Sequence, residues 1–265
     1  MIRLTCSRRD LSYGLIIRNH PVADYQAALE IPQLPVAAGC KSAISGIIIS
    51  YIDKKVHFDG IIYMLQRRFI MKKLLFINAC VRGERSRTLR LCKKYISTFL
   101  AYHTDYEWTE LDLNDLPLKP QDRNELDRRD AFIEAGDFSD PMFDLAKQFM
   151  DADHIVIGAP YWDLEFPALL KIYFERVSVS ELTYVFKGDH AEANTKAGRA
   201  VYITTAGGYT IGKNFGYEYA RGLFSFLFGI NRMDLVKAEG LDIEGADVEG
   251  ILAQAMKEAE ETAKE

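Results

Sequence analysis

The fold class of this chain is decided by one segment, His154-Ile-Val-Ile-Gly-Ala-Pro-Tyr-Trp-Asp-Leu-Glu-Phe-Pro-Ala-Leu-Leu-Lys171, in which a strand, a loop and the start of a helix follow one another. The apolar run 154–159 is too short for a helix and predicts a strand buried on both faces of a sheet. Pro160 ends this strand, and Pro167 opens a helix whose apolar face continues to Val177. A buried strand that leads into a helix is typical of the parallel sheets of α/β proteins.

The same alternation continues on both sides of this segment. Strands are predicted at 74–77, 106–113, 154–159, 200–204 and 235–238, and helices at 86–99, 140–151, 167–177, 217–228 and 247–264. Residues 114–140 are acidic, contain Pro117 and Pro120, and are predicted to be irregular. Five strands separated by helices predict an α/β fold, a doubly wound five-stranded parallel sheet with helices on both faces. Ligands of such sheets bind at the carboxyl ends of the strands, so the loops after the first, third and fourth strands are the candidate site.

Two residues of the predicted strands and one aromatic run of a predicted helix have an expected structural role. Trp108 alternates with polar residues on the second strand, so it is expected to support the core if that strand is buried. His154 begins the third strand and is expected to be a structural polar residue, not a proton donor. The aromatic run 223–228 is expected in the core, with part of it available for a dimer contact.

Composition excludes several classes of protein. The chain has 265 residues, 48% hydrophobic and 27% charged, which is typical of globular proteins and not of disordered ones. A net charge of −5 argues against nucleic acid as the main partner. No apolar run approaches the roughly 20 residues of a membrane span, so no membrane association is expected. The four cysteines show no metal-binding spacing, which predicts no metal site and reduced thiols in a cytoplasmic location.

Residues 1–70 do not share the pattern of the remaining chain. They carry nine Lys/Arg and five Asp/Glu, whereas residues 71–265 carry 24 and 33. Their apolar pieces are short and have no clear period. Met71 then opens a new pattern, Met-Lys-Lys-Leu-Leu-Phe-Ile-Asn78, which is how many cytosolic α/β proteins begin. We expect 1–70 to be an N-terminal extension, either a stretch translated from a start codon placed too early, and poorly ordered, or a real small appendage, and 71–265 to be the folded domain.

The loop after the first strand favours a phosphate group. Within Asn78-Ala-Cys-Val-Arg-Gly-Glu-Arg-Ser-Arg-Thr-Leu89, two hydroxyls, Ser86 and Thr88, fall at a predicted helix N-terminus. Free backbone N–H groups and the helix dipole attract anions there, and three arginines add positive charge. The alternative is an ordinary helix cap with solvated arginines.

The other two loops suit a planar ring. Tyr161 and Trp162 stand between two prolines directly after the third strand, where they could line a flat heteroaromatic ring or only cover the end of the sheet. Paired glycines in Thr204-Thr-Ala-Gly-Gly-Tyr209 allow close approach of the backbone to a ligand, or form a plain turn. One phosphate-binding loop and two ring-binding loops at neighbouring strands match the outline of FMN.

Residues 71–265 resemble the flavodoxin-like FMN-dependent NAD(P)H:quinone oxidoreductases and azoreductases. The resemblance is carried by the stretches 158–171 and 202–209 and does not extend to 1–70. It implies a flavodoxin-like sheet with FMN bound by three loops. The implied FMN contacts are the phosphate loop with Ser86, Arg87 and Thr88, the backbone of Cys80, the aromatic loop with Tyr161, Trp162, Asp163 and Leu164, and the glycine loop with Thr205, Ala206, Gly207 and Gly208.

The same resemblance implies an activity. NADH or NADPH would deliver hydride to the flavin, and a quinone or azo compound would then take two electrons in a ping-pong cycle. No catalytic side chain is implied, because the flavin carries the chemistry, and a homodimer is implied because the family usually forms its pocket between two subunits. Two alternatives stay open: a flavodoxin-like one-electron carrier without small-molecule turnover, and a flavin-free regulatory protein on the same scaffold.

Overall fold

The computed structural model describes residues 71–265, and the expectation for residues 1–70 lies outside the described residues. Within 71–265 the elements alternate much as the sequence predicts. The strands are β1 Lys72–Asn78, β2 Tyr106–Asp112, β3 His154–Gly158, β4 Tyr184–Lys187, β5 His190–Ala193, β6 Arg199–Thr205 and β7 Arg232–Ala238. The helices are α1 Arg87–Tyr102, α2 Arg123–Ala135, α3 Asp144–Met150, α4 Ala168–Val177, α5 Phe215–Phe228 and α6 Val248–Lys264.

Five of the strands form one parallel sheet in the order β2-β1-β3-β6-β7. The predicted doubly wound α/β sheet is therefore confirmed, and β6 and β7 are the fourth and fifth strands of that prediction. The register aligns Asn78 with Gly158 and Gly158 with Ile203, so the carboxyl ends of β1, β3 and β6 lie side by side. The loops expected to form a site therefore leave the sheet at neighbouring positions.

Helices cover both faces of this sheet, because alternate strand residues point to opposite sides. Leu75 and Ile77 of β1 belong to a core that includes Tyr173 of α4 and Phe224 of α5. The neighbouring residues Leu74 and Phe76 belong to a second core formed with α1 and α6. None of these β1 side chains is more than 2% exposed, which explains why the strand is apolar without interruption.

The expectation that residues 114–140 are irregular was wrong. They contain α2, whose N-cap Asp122 accepts a hydrogen bond from the Glu125 amide and whose C-cap Gly136 has a φ of 64°. No residue of α2 is buried, so its sequence lacks the apolar stripe by which a helix is recognised. The small antiparallel hairpin of β4 and β5 was likewise not predicted. The helix predicted at 140–151 is divided into a 3-10 turn, Pro141–Phe143, and α3.

Trp108 does not support the core. Its strand, β2, is the edge of the sheet, and the Trp108 side chain is 45% exposed. His154, in contrast, is buried, with Nε2 3.0 Å from the hydroxyl oxygen of Tyr95. Burial, together with the positive charge of Arg199, lowers the pKa of His154 to about 3. The histidine is therefore neutral and structural.

Candidate functional site

A cavity of about 200 Å³ opens at the carboxyl edge of the sheet, where the three predicted loops meet. A fourth loop, which follows β7, completes its wall. Eight of the twelve predicted site residues line the cavity. The lining residues are Arg82, Arg85, Ser86, Arg87, Thr88, Pro160, Tyr161, Trp162, Thr205, Ala206, Gly207, Leu241 and Asp242.

One end of the cavity is cationic and rich in hydroxyl groups. Ser86 is the N-cap of α1, and its Oγ accepts a hydrogen bond from the Leu89 amide at 3.2 Å. Its hydroxyl proton is not consumed by this bond and can be donated to a ligand. Arg82, Arg85 and Arg87 bring three positive charges to the same helix terminus, whose backbone N–H groups also favour an anion.

The hydroxyl of Thr88 is held by a partner on another strand. Its Oγ1 lies 2.7 Å from Oγ1 of Thr205, which ends β6, and both residues are buried. Because one proton bridges the two oxygens, the other hydroxyl proton of the pair can be donated to a second acceptor. This contact joins the phosphate-type loop directly to the glycine loop, a link that no sequence pattern reveals.

The aromatic loop forms a tight turn above β3. Trp162 and Glu165 exchange two backbone hydrogen bonds, and the residues between them, Asp163 and Leu164, have φ values of 49° and 72°. A positive φ is unfavourable for a leucine, so the turn stores backbone strain beside the cavity. The hydroxyl of Tyr161 donates to the Lys213 carbonyl oxygen at 3.0 Å, which ties this loop to the start of α5.

The loop after β7 is the part of the site that the sequence analysis missed. The amides of Leu241 and Asp242 donate to the carbonyl oxygens of Ala206 and Gly207, at 3.2 and 2.8 Å. Asp242 Oδ1 accepts a hydrogen bond from Nη1 of Arg87 at 2.8 Å. Nothing in the sequence around Asp242 distinguishes it from other surface acids, because its role depends on residues about 35 and 155 positions away.

The chain is similar to proteins of known activity. A family profile described as the flavodoxin-like fold matches residues 72–263. An FMN-dependent NADH:quinone oxidoreductase from Coprothermobacter proteolyticus is 33% identical over 201 residues, which are 74% of this chain and 100% of that protein. This chain belongs to the flavodoxin-like family of FMN-dependent NAD(P)H:quinone oxidoreductases and azoreductases. The resemblance inferred from the sequence is thereby confirmed.

Other members of the oxidoreductase family agree with this assignment. The FMN-dependent NADH:quinone oxidoreductase 2 of Clostridium acetobutylicum is 34% identical over 204 residues, covering 74% of this chain and all of that protein. Among solved structures, the FMN-dependent NADH-azoreductase of Bacillus anthracis in complex with FMN superimposes with a TM-score of 0.64. It is 23% identical and covers 73% of this chain and 98% of its own, so it supports the fold alone.

Four residues that the family resemblance implied lie outside the cavity lining. Cys80 is fully buried, with its amide donating to Asn78 Oδ1 at 2.9 Å and its Sγ 3.6 Å from the Gly158 carbonyl oxygen. Asp163 and Leu164 are exposed at the tip of the aromatic turn, and Gly208 is exposed beside the lining residue Gly207.

Within the described residues 71–265, no group of His, Cys, Asp or Glu side chains is arranged to hold a metal ion. None of the helices in this range is both long and apolar enough to cross a bilayer.

Proposed function

We propose that this chain is an FMN-dependent oxidoreductase that transfers two electrons from NADH or NADPH to a quinone or azo compound. The observation that carries the proposal is one cavity, at neighbouring strand ends, whose lining combines two kinds of residue. Arg87 and the buried hydroxyl groups suit a phosphate, and Trp162 and the backbone of the glycine loop suit a flat ring. This combination matches a cofactor that carries both a phosphate and a flat ring.

The residues at the cationic end fit a phosphate monoester. We propose that Ser86 and the Thr88–Thr205 pair each donate one hydrogen bond to the phosphate, while Arg87 and the N-terminus of α1 balance its charge. The Ser86 side chain is kept in place by its own bond to the Leu89 amide. The hydroxyls are therefore oriented before the ligand arrives, which lowers the entropic cost of binding.

The residues at the other end fit the ring. Tyr161 and Trp162 offer apolar surface at the ring edge, and Gly207 gives the backbone close access. The amides of Asp163 and Leu164 have no partner among residues 71–265, so they remain available as donors. This is how the exposed turn would contribute to binding although its side chains stay outside the lining.

Bound FMN would supply the redox chemistry, accepting hydride from NAD(P)H and passing two electrons to the acceptor in a ping-pong cycle. The protein would bind the phosphate, hold the ring between the aromatic and glycine loops, and exclude water from one side of it. No acid, base or nucleophile is required of the side chains, because the flavin would carry the chemistry.

We further propose that the chain is cytoplasmic, where Cys80 and Cys92, which are free in the structure, would stay reduced. We also propose a homodimer. The support for the homodimer is an apolar stripe on the outer face of α5, where Phe215, Tyr219, Gly222 and Phe226 recur at helical spacing and are all exposed. The stripe begins beside the aromatic loop, because the Phe215 amide donates to the Leu164 carbonyl oxygen at 3.1 Å. A second copy that covered this stripe would also enclose the open mouth of the cavity.

The decisive experiment combines a spectrum with turnover. The purified chain should show bound-flavin absorption, release one FMN per chain on denaturation, and oxidise NADH with a quinone in steady state. Parallel lines in the double-reciprocal plots at several quinone concentrations would support the ping-pong order. A yellow protein that never turns over a small acceptor would favour the one-electron carrier, and a colourless protein that takes up no FMN would reject both.

A further inference from the structure

The loop after β7 carries a carboxylate that lies between the phosphate-type loop and the glycine loop of the proposed FMN site. Asp242 Oδ1 accepts from Nη1 of Arg87 at 2.8 Å, and the same nitrogen lies 3.4 Å from the carbonyl oxygen of Leu241. The side chain of Asp242 also lies against Gly207, where an added Cβ atom would overlap its Oδ2. One acidic residue therefore contacts both the phosphate-type loop and the glycine loop.

The backbone gives this loop a fixed place. Amides of three consecutive residues, Gly240, Leu241 and Asp242, donate to the carbonyl oxygens of Gly208, Ala206 and Gly207. The loop is thus hydrogen-bonded to the segment that follows β6, beyond the end of the sheet. Because the backbone of Asp242 is anchored in this way, its carboxylate can restrict the position of the flexible Arg87 side chain.

The contact leaves most of Arg87 available to a ligand. Only Nη1 is engaged among residues 71–265, so Nη2 and Nε keep their donors. A guanidinium has a rigid fork of donors that suits bidentate binding of a phosphate. An arginine side chain has many rotamers, and fixing it in advance lowers the cost of ordering it on binding.

We propose that Asp242 is a positioning residue that, with the Leu241 carbonyl, holds the Arg87 guanidinium towards the phosphate of the bound cofactor. This inference rests on the proposed function, and it adds a fourth loop to the three that the resemblance implied. It assigns Asp242 a favourable role in phosphoester binding, although its own charge repels an anion. The opposite role, an intramolecular competitor that occupies Arg87 until the phosphate displaces it, predicts opposite results.

The test measures equilibrium binding of FMN and of riboflavin to the apoprotein by flavin fluorescence. Asp242→Ala should weaken FMN binding about threefold to fivefold, which is the upper range for an exposed ion pair, and leave riboflavin unchanged. Asp242→Asn keeps an acceptor oxygen for Arg87 and should stay within about twofold of the parent chain. Arg87→Met should weaken FMN about tenfold or more, and adding Asp242→Ala to it should have no further effect.

One variant controls for charge. Glu244→Ala removes an exposed acid from the same loop and should not change FMN affinity.

The outcomes separate this inference from the function on which it rests. Equal or tighter FMN binding by Asp242→Ala, or an equal loss of riboflavin, overturns the positioning role while the proposed function stands. Tighter binding by both Asp242→Ala and Asp242→Asn would identify the competitor role instead. A parent chain that binds neither flavin overturns both proposals.

Discussion

The hydroxyl pair of Thr88 and Thr205 gives the sharpest stability test of the site. Their Oγ1 atoms are 2.7 Å apart, Thr88 is 0% exposed and Thr205 is 9% exposed. Replacing either threonine with valine preserves the shape of the side chain but leaves the other hydroxyl without its partner. Replacing both removes the two polar groups together.

The expected magnitudes follow from burial. Each single variant, Thr88→Val or Thr205→Val, should lower the free energy of unfolding by about 1–2 kcal/mol, because a buried hydroxyl loses its partner and cannot fully recover water. The double variant should lie within about 0.5 kcal/mol of the parent, since neither polar group remains. The cycle therefore predicts a coupling energy of about 2–4 kcal/mol between the two positions.

Urea denaturation of the apoprotein, followed by circular dichroism, measures these free energies. Thr98→Val is the matched control, because Thr98 lies on the partly exposed side of the same helix and should change stability by less than about 0.5 kcal/mol. If the double variant loses as much free energy of unfolding as the two single variants together, the effects of the two hydroxyls are independent and their contact does not stabilise the fold.

The same variants test the phosphate assignment. Thr88→Val should weaken FMN binding at least tenfold, because a hydrogen bond to a charged group contributes about 1.5–3 kcal/mol, and riboflavin binding should hardly change. Equal weakening of both flavins would place the phosphate elsewhere in the cavity.

Three further predictions concern other parts of the chain. Trp162→Ala should reduce FMN affinity and change the free energy of unfolding by less than about 1 kcal/mol. The Trp108 side chain is 45% exposed at the sheet edge, so Trp108→Ala should leave FMN affinity unchanged and lower the free energy of unfolding far less than truncation of a core tryptophan does. FMN titration and urea denaturation of each variant test this, and a large stability loss from Trp162→Ala would place that residue in the core. The pKa of His154 is lowered to about 3 in the native state, whereas it is roughly 6.5 in the unfolded chain. Between these two pH values the unfolded chain binds one more proton at this residue than the native chain does, so the free energy of unfolding should fall by about 2 kcal/mol from pH 8 to pH 5. His154→Gln should not show this contribution to the pH dependence of stability. A chain that begins at Met71 should fold, bind FMN and turn over like the full chain; loss of cooperative unfolding in the shorter chain would show that residues 1–70 are needed.

The regular elements were largely predictable, because the signals that define them are local. The run Leu74–Ile77 is apolar without interruption, as a strand covered on both faces must be. Ser86 was predicted at a helix N-terminus, and its side chain is the N-cap of α1, accepting the Leu89 N–H. The helix α2 was not predicted because none of its residues is buried, so its sequence has no apolar periodicity.

Exposure was harder to predict than strand position. The alternation around Trp108 is the pattern of a strand with one covered face, yet β2 is the outermost strand and leaves that side chain open. Whether a strand is central or at the edge depends on the order of strands in the sheet, which the local sequence does not contain.

The alternation of strands and helices, the three loops at the carboxyl edge of the sheet and the family resemblance could all be predicted from local sequence. Each of these depends on residues that are close together in the chain, such as Pro160 after a buried strand or Gly207 in a turn. The tertiary structure alone decided how the loops act together. It paired Thr88 with Thr205, left the side chains of Asp163 and Leu164 outside the cavity lining, and brought Asp242 to Arg87 across 155 positions of sequence. The physical reason is that hydrogen bonds and ion pairs depend on distance in space, and only the packing of helices on the sheet sets that distance.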